Sequence, residues 1–279
     1  MKSGKDAALI KQFIFQLKNW STMNRIHQLF DNKKQGILSV YFCAGYPTLN
    51  GTPDILKALQ AEGIDMVEIG IPFSDPLADG PTIQSAASKA LKNGMSVRLL
   101  FEQLQNVRTD IHLPLILMGY LNPILHFGFE HFCEQCQAVG IDGLIIPDLP
   151  FDQFVAEYQA TTQKYGLEVI FLVTPETPEA RIREIDSQSH GFIYAVSSAS
   201  VTGAQQSFSD AKQAYFKRLH EMQLRNPQLI GFGISNHATR AAADAYTAGV
   251  IVGSKFVTLL EQTHNALQAV KLLKRVLEK

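Results

Sequence analysis

The chain has 279 residues, of which 46% are hydrophobic and 18% charged, and its formal net charge is -1. This ordinary globular composition disfavours collagen-like repeats, coiled coil and wholesale disorder, and the chain is long enough to bury a core. The near-neutral charge lacks the basic footprint of a nucleic-acid-binding protein. No apolar run approaches the ~18 residues of a bilayer span, so we predict no membrane segment.

The first residues stand apart from the pattern that follows. Residues 1–22 begin with basic residues, but polar residues interrupt their apolar stretch and no small-residue cleavage site follows, which argues against a signal peptide. We interpret residues 1–22 as an N-terminal extension of unknown role, and residues 23–279 as one domain. Its first helix is predicted at MNRIHQLFDNKKQG, which begins at Met23.

Eight short apolar runs then alternate with amphipathic, helix-like segments. The runs are ILSVYFC (37–43), MVEIGI (66–71), PLILMGY (114–120), GLIIPD (143–148), EVIFLV (168–173), FIYAV (192–196), QLIGFG (228–233) and VIVGS (250–254). Continuous apolar runs are typical of parallel strands buried on both faces, and a last helix is predicted over about 256–277. The pattern predicts a single-domain (β/α)8 TIM barrel with an extra N-terminal helix; a doubly wound open sheet is the alternative.

The second unit, MVEIGIPFSDPLADGPTIQ, contains a carboxylate inside an apolar strand. By alternation, Glu68 shares a face with Met66 and Gly70. A buried carboxylate is unfavourable unless it is paired, and no strand run supplies an Arg or Lys. We therefore predict a functional role for Glu68, with a pKa raised by an apolar pocket so that it acts as a general acid and base.

Two further acids follow in the loop SDPLADGP. Asp75 and Asp79 are both suited to turns and helix caps. Since active sites of this barrel lie on the loops after the strands, spacing alone leaves functional and turn roles equally open for Asp79.

The last three strand ends carry glycines. These are Gly203 in VSSASVTGA, Gly233 in GFGIS and Gly253 in VGS, which Ser254 follows. Glycines before helices let backbone amides face an anion, and this barrel commonly binds phosphate there. The pattern therefore predicts a phosphate cradle; plain tight turns are the alternative, and no nucleotide P-loop motif occurs.

Other polar residues at strand ends are Tyr120, Asn122, Asp148 and Tyr194, for which structural roles compete. The eight histidines show no metal-ligand spacing, and the C-x-x-C of Cys133 and Cys136 has no second ligand pair, so we predict no metal. Three cysteines fit a reducing compartment, and we predict a cytoplasmic protein.

The segment EIGIPFSDPLADGPTIQ (68–84) closely resembles the signature of the tryptophan synthase alpha chain family, and the similarity extends over about residues 23–279. Further matching stretches are YFCAGYP (41–47), LMGYLNP (117–123), IIPDLP (145–150), SVTGA (200–204), GFGIS (231–235) and VGS (252–254). The resemblance implies a lyase of tryptophan biosynthesis that cleaves indole-3-glycerol phosphate into indole and glyceraldehyde 3-phosphate.

The resemblance also implies roles for individual residues. Glu68 would be the general acid and base, and Asp79 would hold the indole N–H and stabilise the cationic intermediate. The implied substrate-binding residues are Tyr41, Tyr120, Tyr194, Thr202, Gly203, Gly233, Gly253 and Ser254. Thr202 would belong to a closing loop that contacts the catalytic Asp.

The implied assembly is an alpha-beta-beta-alpha complex with a beta chain, which alone would carry pyridoxal phosphate; no cofactor is expected in this chain. The sequence departs from the family pattern at residues 198–200, which lack an Arg and a Gly, and at Lys255, where a small residue is common. Two other functions stay open: another phosphate-barrel enzyme of aromatic amino-acid synthesis, and a regulatory subunit that only activates a beta partner.

Overall fold

The computed structural model describes residues 24–197 and 207–278, and in this part of the chain parallel strands form a barrel. The strands are β1 Ile37–Cys43, β2 Met66–Gly70, β3 Leu115–Met118, β4 Gly143–Ile145, β5 Glu168–Ile170, β6 Leu172–Val173, β7 Ile193–Val196, β8 Gln228–Gly231 and β9 Gly249–Val252. Their order is β5-β4-β3-β2-β1-β9-β8-β7-β6. The predicted parallel barrel is confirmed, and the open sheet is not.

The two ends of this order are neighbours in the chain. β5 pairs with β4, β6 pairs with β7, and only Phe171 separates β5 from β6. The carbonyl of Phe171 accepts a hydrogen bond from the Tyr194 amide at 3.0 Å. The predicted run EVIFLV is thus one strand that changes neighbours at residue 171, and this change closes the ring.

Helices surround the strands. They are α1 Arg25–Asn32, α2 Thr52–Ala61, α3 Pro81–Lys92, α4 Val97–Leu104, α5 Leu121–Phe127, α6 Phe129–Val139, α7 Phe151–Gln153, α8 Gln159–Lys164, α9 Glu179–Gln188, α10 Asp210–Glu221, α11 His237–Asp244, α12 Ser254–Thr263 and α13 Ala266–Glu278. A 3-10 turn covers Val107–Thr109, and a π-helical turn, Phe154–Tyr158, joins α7 to α8.

The prediction of one last helix over about 256–277 is wrong, because two helices occupy this segment. α12 ends where His264 adopts a left-handed φ of 48°. The side chain of Asn265 then accepts a hydrogen bond from the Gln268 amide at 2.9 Å and caps the start of α13.

The extra N-terminal helix, α1, is tied to the barrel by a buried acid. Asp142, which precedes β4, is 3% exposed and forms ion pairs with Arg25 at 3.0 Å and with Arg108 at 2.6 Å. Ile26 of α1 is fully buried. The charge of this carboxylate is therefore compensated inside the protein, as a buried charge requires.

The three cysteines, Cys43, Cys133 and Cys136, are buried thiols without disulfide bonds. Among the described residues, no group of three or more His, Cys, Asp or Glu is placed to hold a metal ion. None of the helices in residues 24–197 and 207–278 combines the length and the apolar character needed to cross a membrane.

Candidate active site

Glu68 lies on the inner face of the barrel, as predicted from its strand. It is fully buried, and β2 pairs with β1 so that Glu68 stands opposite Tyr41. Glu68 also interacts electrostatically with Tyr194 of β7, which is not a neighbouring strand. Side chains from strands that do not pair come close only across the interior of the barrel. The side chains of Glu68, Tyr41 and Tyr194 therefore point inward.

One oxygen of the Glu68 carboxyl group is bound and the other is not. The Ser39 hydroxyl of β1 donates a hydrogen bond to Oε1 at 3.0 Å. Oε2 has no hydrogen-bond partner among the described residues. Burial raises the pKa of Glu68 to about 8, although the Ser39 hydrogen bond lowers it. The acid is therefore largely protonated at neutral pH and can give up a proton.

Asp79 is held at the carboxyl end of β2 by Tyr120. The Tyr120 hydroxyl donates to Oδ2 of Asp79 at 3.0 Å and accepts from the Ala78 amide at 2.9 Å. Burial raises the pKa of Asp79, and the bond from Tyr120 lowers it. Because this hydroxyl joins the carboxylate to the backbone next to it, the orientation of Asp79 is fixed before any ligand arrives.

A cavity at the carboxyl ends of the strands brings six of the predicted residues together. Among its lining residues are Tyr41, Asp79, Tyr194, Gly233, Gly253 and Ser254. Phe232, Ser235 and Lys255 line it too. The Asp79 carboxylate and the tyrosine rings therefore share one cavity with the ends of β8 and β9.

Two inward-facing glycines make room for the tyrosine rings. A Cβ atom on Gly231 would overlap the Tyr194 hydroxyl, and one on Gly70 would overlap the hydroxyl of Tyr41. The burial of both tyrosines raises their pKa well above the usual value. Both hydroxyls are therefore neutral and remain able to donate hydrogen bonds.

The loops after β8 and β9 present backbone amides at the cavity. Phe232 and Gly233 have φ angles of 65° and 83°, and such a left-handed backbone is rare for a Phe and concentrates at functional sites. Gly253 caps α12 without a side-chain hydrogen bond. The first amides of a helix have no acceptor within it, so this end of the cavity has the chemistry of an anion site.

Lys255 adds a full positive charge beside these amides. Its side chain is half-buried, lines the cavity and has no carboxylate partner among the described residues. Asp79 is the only acidic residue that the described chain places in the lining. The cavity thus has a carboxylate on the β2 side and a cation on the β9 side.

The remaining predicted residues fall outside this lining. Thr202 and Gly203 lie outside the described residues. Glu68 and Tyr120 are not among the lining residues: Glu68 is fully buried in β2, where it stands opposite the lining residue Tyr41, and Tyr120 contacts Asp79. Sequence reasoning missed Ser39 and Phe232; a polar residue inside the apolar run ILSVYFC is the signal that could have identified Ser39.

Comparison with known proteins identifies the family. The family model described as tryptophan synthase alpha chain matches residues 27–279. A relative of that description from Bacteroides fragilis is 57% identical over 255 residues, which are 91% of this chain and 97% of the relative. Another, from Parabacteroides distasonis, is 58% identical over 256 residues, covering 92% of this chain and 100% of the relative.

Solved structures give the same result. A tryptophan synthase alpha chain from Legionella pneumophila superimposes with a TM-score of 0.81 at 29% identity, covering 92% of this chain and 96% of that one. A structure of tryptophan synthase from M. tuberculosis in an aminoacrylate-bound form gives 0.79 at 31% identity, covering 91% and 98%. The chain belongs to the tryptophan synthase alpha chain family.

Proposed function

We propose that this chain is a lyase that cleaves indole-3-glycerol phosphate into indole and glyceraldehyde 3-phosphate, as part of tryptophan biosynthesis. The observation that carries the proposal is the fully buried carboxyl group of Glu68, whose pKa is raised to about 8. A neutral acid is the group that this cleavage needs, because the indole ring must be protonated before the side chain can leave.

The proposed steps balance with Glu68 alone as the proton carrier. Glu68 gives its proton to the ring carbon that bears the glycerol phosphate side chain, which makes the ring an electron acceptor. The carboxylate then takes the proton of the side-chain hydroxyl on the adjacent carbon. The carbon–carbon bond breaks, its electrons return to the ring, and the hydroxyl carbon becomes the aldehyde. Positioned proton transfer of this kind contributes about 10²–10⁴-fold.

Asp79 is proposed to bind the indole N–H. Its carboxylate lines the same cavity, and Tyr120 holds one of its oxygens. Protonation of the ring places positive charge on the indole nitrogen, and a carboxylate beside that nitrogen stabilises this charge. The two acids therefore need opposite charge states, Glu68 protonated and Asp79 ionised.

The phosphate is proposed to lie at the ends of β8 and β9. Gly233, Gly253 and Ser254 supply backbone amides there, and Lys255 supplies a charge. Amides at a helix N-terminus together with a cation bind a phosphate dianion well. This places the charged end of the substrate opposite Asp79 and its indole ring beside the tyrosines.

A beta chain is the proposed partner. Leu77, two residues before Asp79, is 86% exposed, the highest value among the exposed large apolar side chains of the described residues, and a partner surface would cover it. The similar M. tuberculosis protein is described as tryptophan synthase rather than as an alpha chain alone. We propose that pyridoxal phosphate belongs to the beta chain and that this chain holds no cofactor of its own.

The proposal is tested by incubating the chain with indole-3-glycerol phosphate, with and without a beta chain, and measuring indole and glyceraldehyde 3-phosphate separately. Equal amounts of both products are expected. Conversion of other anthranilate-derived phosphate esters, with no indole released, would instead identify another barrel enzyme of aromatic amino-acid synthesis. Stimulation of a beta chain without any cleavage would identify a regulatory subunit.

A further inference from the structure

Ser39 is a buried polar residue that the proposed steps do not use. It lies in β1, is fully buried, and stands two residues before Tyr41 on the same face of the strand. The register pairs Ser39 with Met66 and Tyr41 with Glu68. Ser39 is therefore one layer deeper in the barrel than the acid, on the side away from the carboxyl ends of the strands.

In the part of the chain that the structure describes, the only hydrogen bond of this hydroxyl is the one to Glu68. Ser39 Oγ donates to Oε1 at 3.0 Å, and Oε2 of the same carboxyl group has no partner in residues 24–197 and 207–278. The two oxygens of the acid are therefore chemically different before substrate binds. While Ser39 donates to Oε1, the proton of the neutral acid lies on Oε2.

We propose that Ser39 is a positioning residue, whose hydroxyl holds Oε1 of Glu68 so that Oε2 is the oxygen that exchanges protons with the substrate. The inference rests on the proposed function, since it assigns a task within the same reaction. A carboxyl group that can rotate presents its proton in the wrong direction part of the time, and a bound Oε1 removes that rotation.

The other groups around Glu68 do not fulfil this role. The titratable groups that face it are the Tyr41 hydroxyl from β1 and the Tyr194 hydroxyl from β7. Asp79 faces both tyrosines from the loop after β2, and Cys43 faces Tyr41. Among the described residues, Ser39 is the only group that donates a hydrogen bond to the acid.

The test compares Ser39→Ala with the wild type in the pH dependence of indole release. Ser39 stabilises the charged form of Glu68, so its removal raises the pKa of the acid. The alkaline limb of the pH profile of kcat/KM should move to higher pH by about one to two pH units. We also expect kcat to fall about tenfold with KM nearly unchanged, because binding groups are untouched. An unmoved alkaline limb would overturn the proposal.

Two further variants separate positioning from packing. Ser39→Cys fills the same space but offers only a weak donor, so it should shift the limb in the same direction as Ser39→Ala. The matched control is Thr162→Ala in α8, which also removes a buried hydroxyl, one that donates to the Gln159 carbonyl at 3.0 Å. This control should alter stability and leave the pH profile in place.

A titration without substrate keeps this proposal separate from the proposed function. In protein labelled with carbon-13 at the glutamate carboxyl groups, the signal of Glu68 is identified by its loss in Glu68→Gln. Its midpoint should be higher in Ser39→Ala than in the wild type. Equal midpoints would contradict the role of Ser39 even in an active enzyme, whereas a shifted midpoint in a chain that releases no indole would contradict only the proposed reaction.

Discussion

Glu68 should make the protein less stable as pH rises, which is opposite to the effect of a carboxyl group whose pKa is lowered by folding. Replacing Glu68 by Gln should remove this pH dependence. Burial raises the pKa of Glu68 from 4.5 to about 8, so the folded protein holds this proton more tightly than the unfolded chain does. Stability from this group is fully present below the unfolded pKa and is lost as pH rises through the folded pKa. The wild type therefore becomes less stable between these values.

The size of the loss in the free energy of unfolding follows from the shift in the pKa of Glu68. Between about pH 5.5 and about pH 8.5, the raised pKa of Glu68 removes about 3 kcal/mol from the free energy of unfolding. Gln has the same shape, still accepts the hydrogen bond from Ser39 and does not titrate. Its amide N–H groups lack acceptors, which adds a constant penalty of about 1–3 kcal/mol. Only the pH-dependent part of the difference in stability reports the raised pKa of Glu68.

Urea unfolding followed by far-UV circular dichroism measures this difference at the two pH values. We expect Glu68→Gln to be less stable than the wild type at the lower pH, and to recover about 3 kcal/mol relative to it at the higher pH. A difference between the two proteins that does not change with pH would refute the raised pKa.

The chain offers a control in Asp142, a buried acid whose charge is paired. Its carboxylate contacts Arg25 and Arg108 and accepts from the Leu115 amide at 2.9 Å. Asp142→Asn leaves the largely buried guanidinium group of Arg108 without its carboxylate partner, so it should destabilise the protein by about 3 kcal/mol. Because Asp142→Asn leaves Glu68 in place, the pH dependence of stability that Glu68 contributes should be kept in this variant.

Three further variants test other contacts of the site. Tyr120→Phe removes the donor to Asp79 and so raises the pKa of that acid, which should move the acid limb of kcat/KM to higher pH; an unmoved limb would contradict the contact. Lys255→Met should raise KM for the phosphorylated substrate about tenfold or more with kcat preserved, as steady-state kinetics can show; an unchanged KM would place the phosphate elsewhere. Gly231→Ala should displace the ring of Tyr194 and lower the free energy of unfolding by about 1–3 kcal/mol, and a fully stable variant would contradict the close approach.

The sequence is sufficient to predict the barrel because local signals mark nearly every element. Apolar runs identify the strands, since parallel strands in a barrel are buried on both faces. Two details that the apolar pattern does not specify both depend on single backbone positions. At Phe171 one strand changes its pairing partner, because β5 pairs with β4 and β6 pairs with β7. At His264 a helix ends in a left-handed conformation that favours Gly or Asn.

The site is predictable in part for a similar reason. Glu68 is conspicuous in an apolar run because an unpaired buried carboxylate is so unfavourable. Ser39 lies in an equally apolar run. A buried hydroxyl group is common and easily hydrogen-bonded, so a serine in a strand does not by itself indicate a functional site. Its contact with Glu68 depends on the register between β1 and β2, which no local pattern specifies. The same holds for the approach of Tyr120 to Asp79.

The most direct test of the central claim is the turnover of Glu68→Gln measured together with its affinity for indole-3-glycerol phosphate by calorimetry. A neutral amide has no proton to give, while the amides of Gly233 and Gly253 and the charge of Lys255 remain in place. We predict binding close to that of the wild type and a fall in indole release of at least about 10²-fold. Indole release at the wild-type rate would show that another group carries the proton.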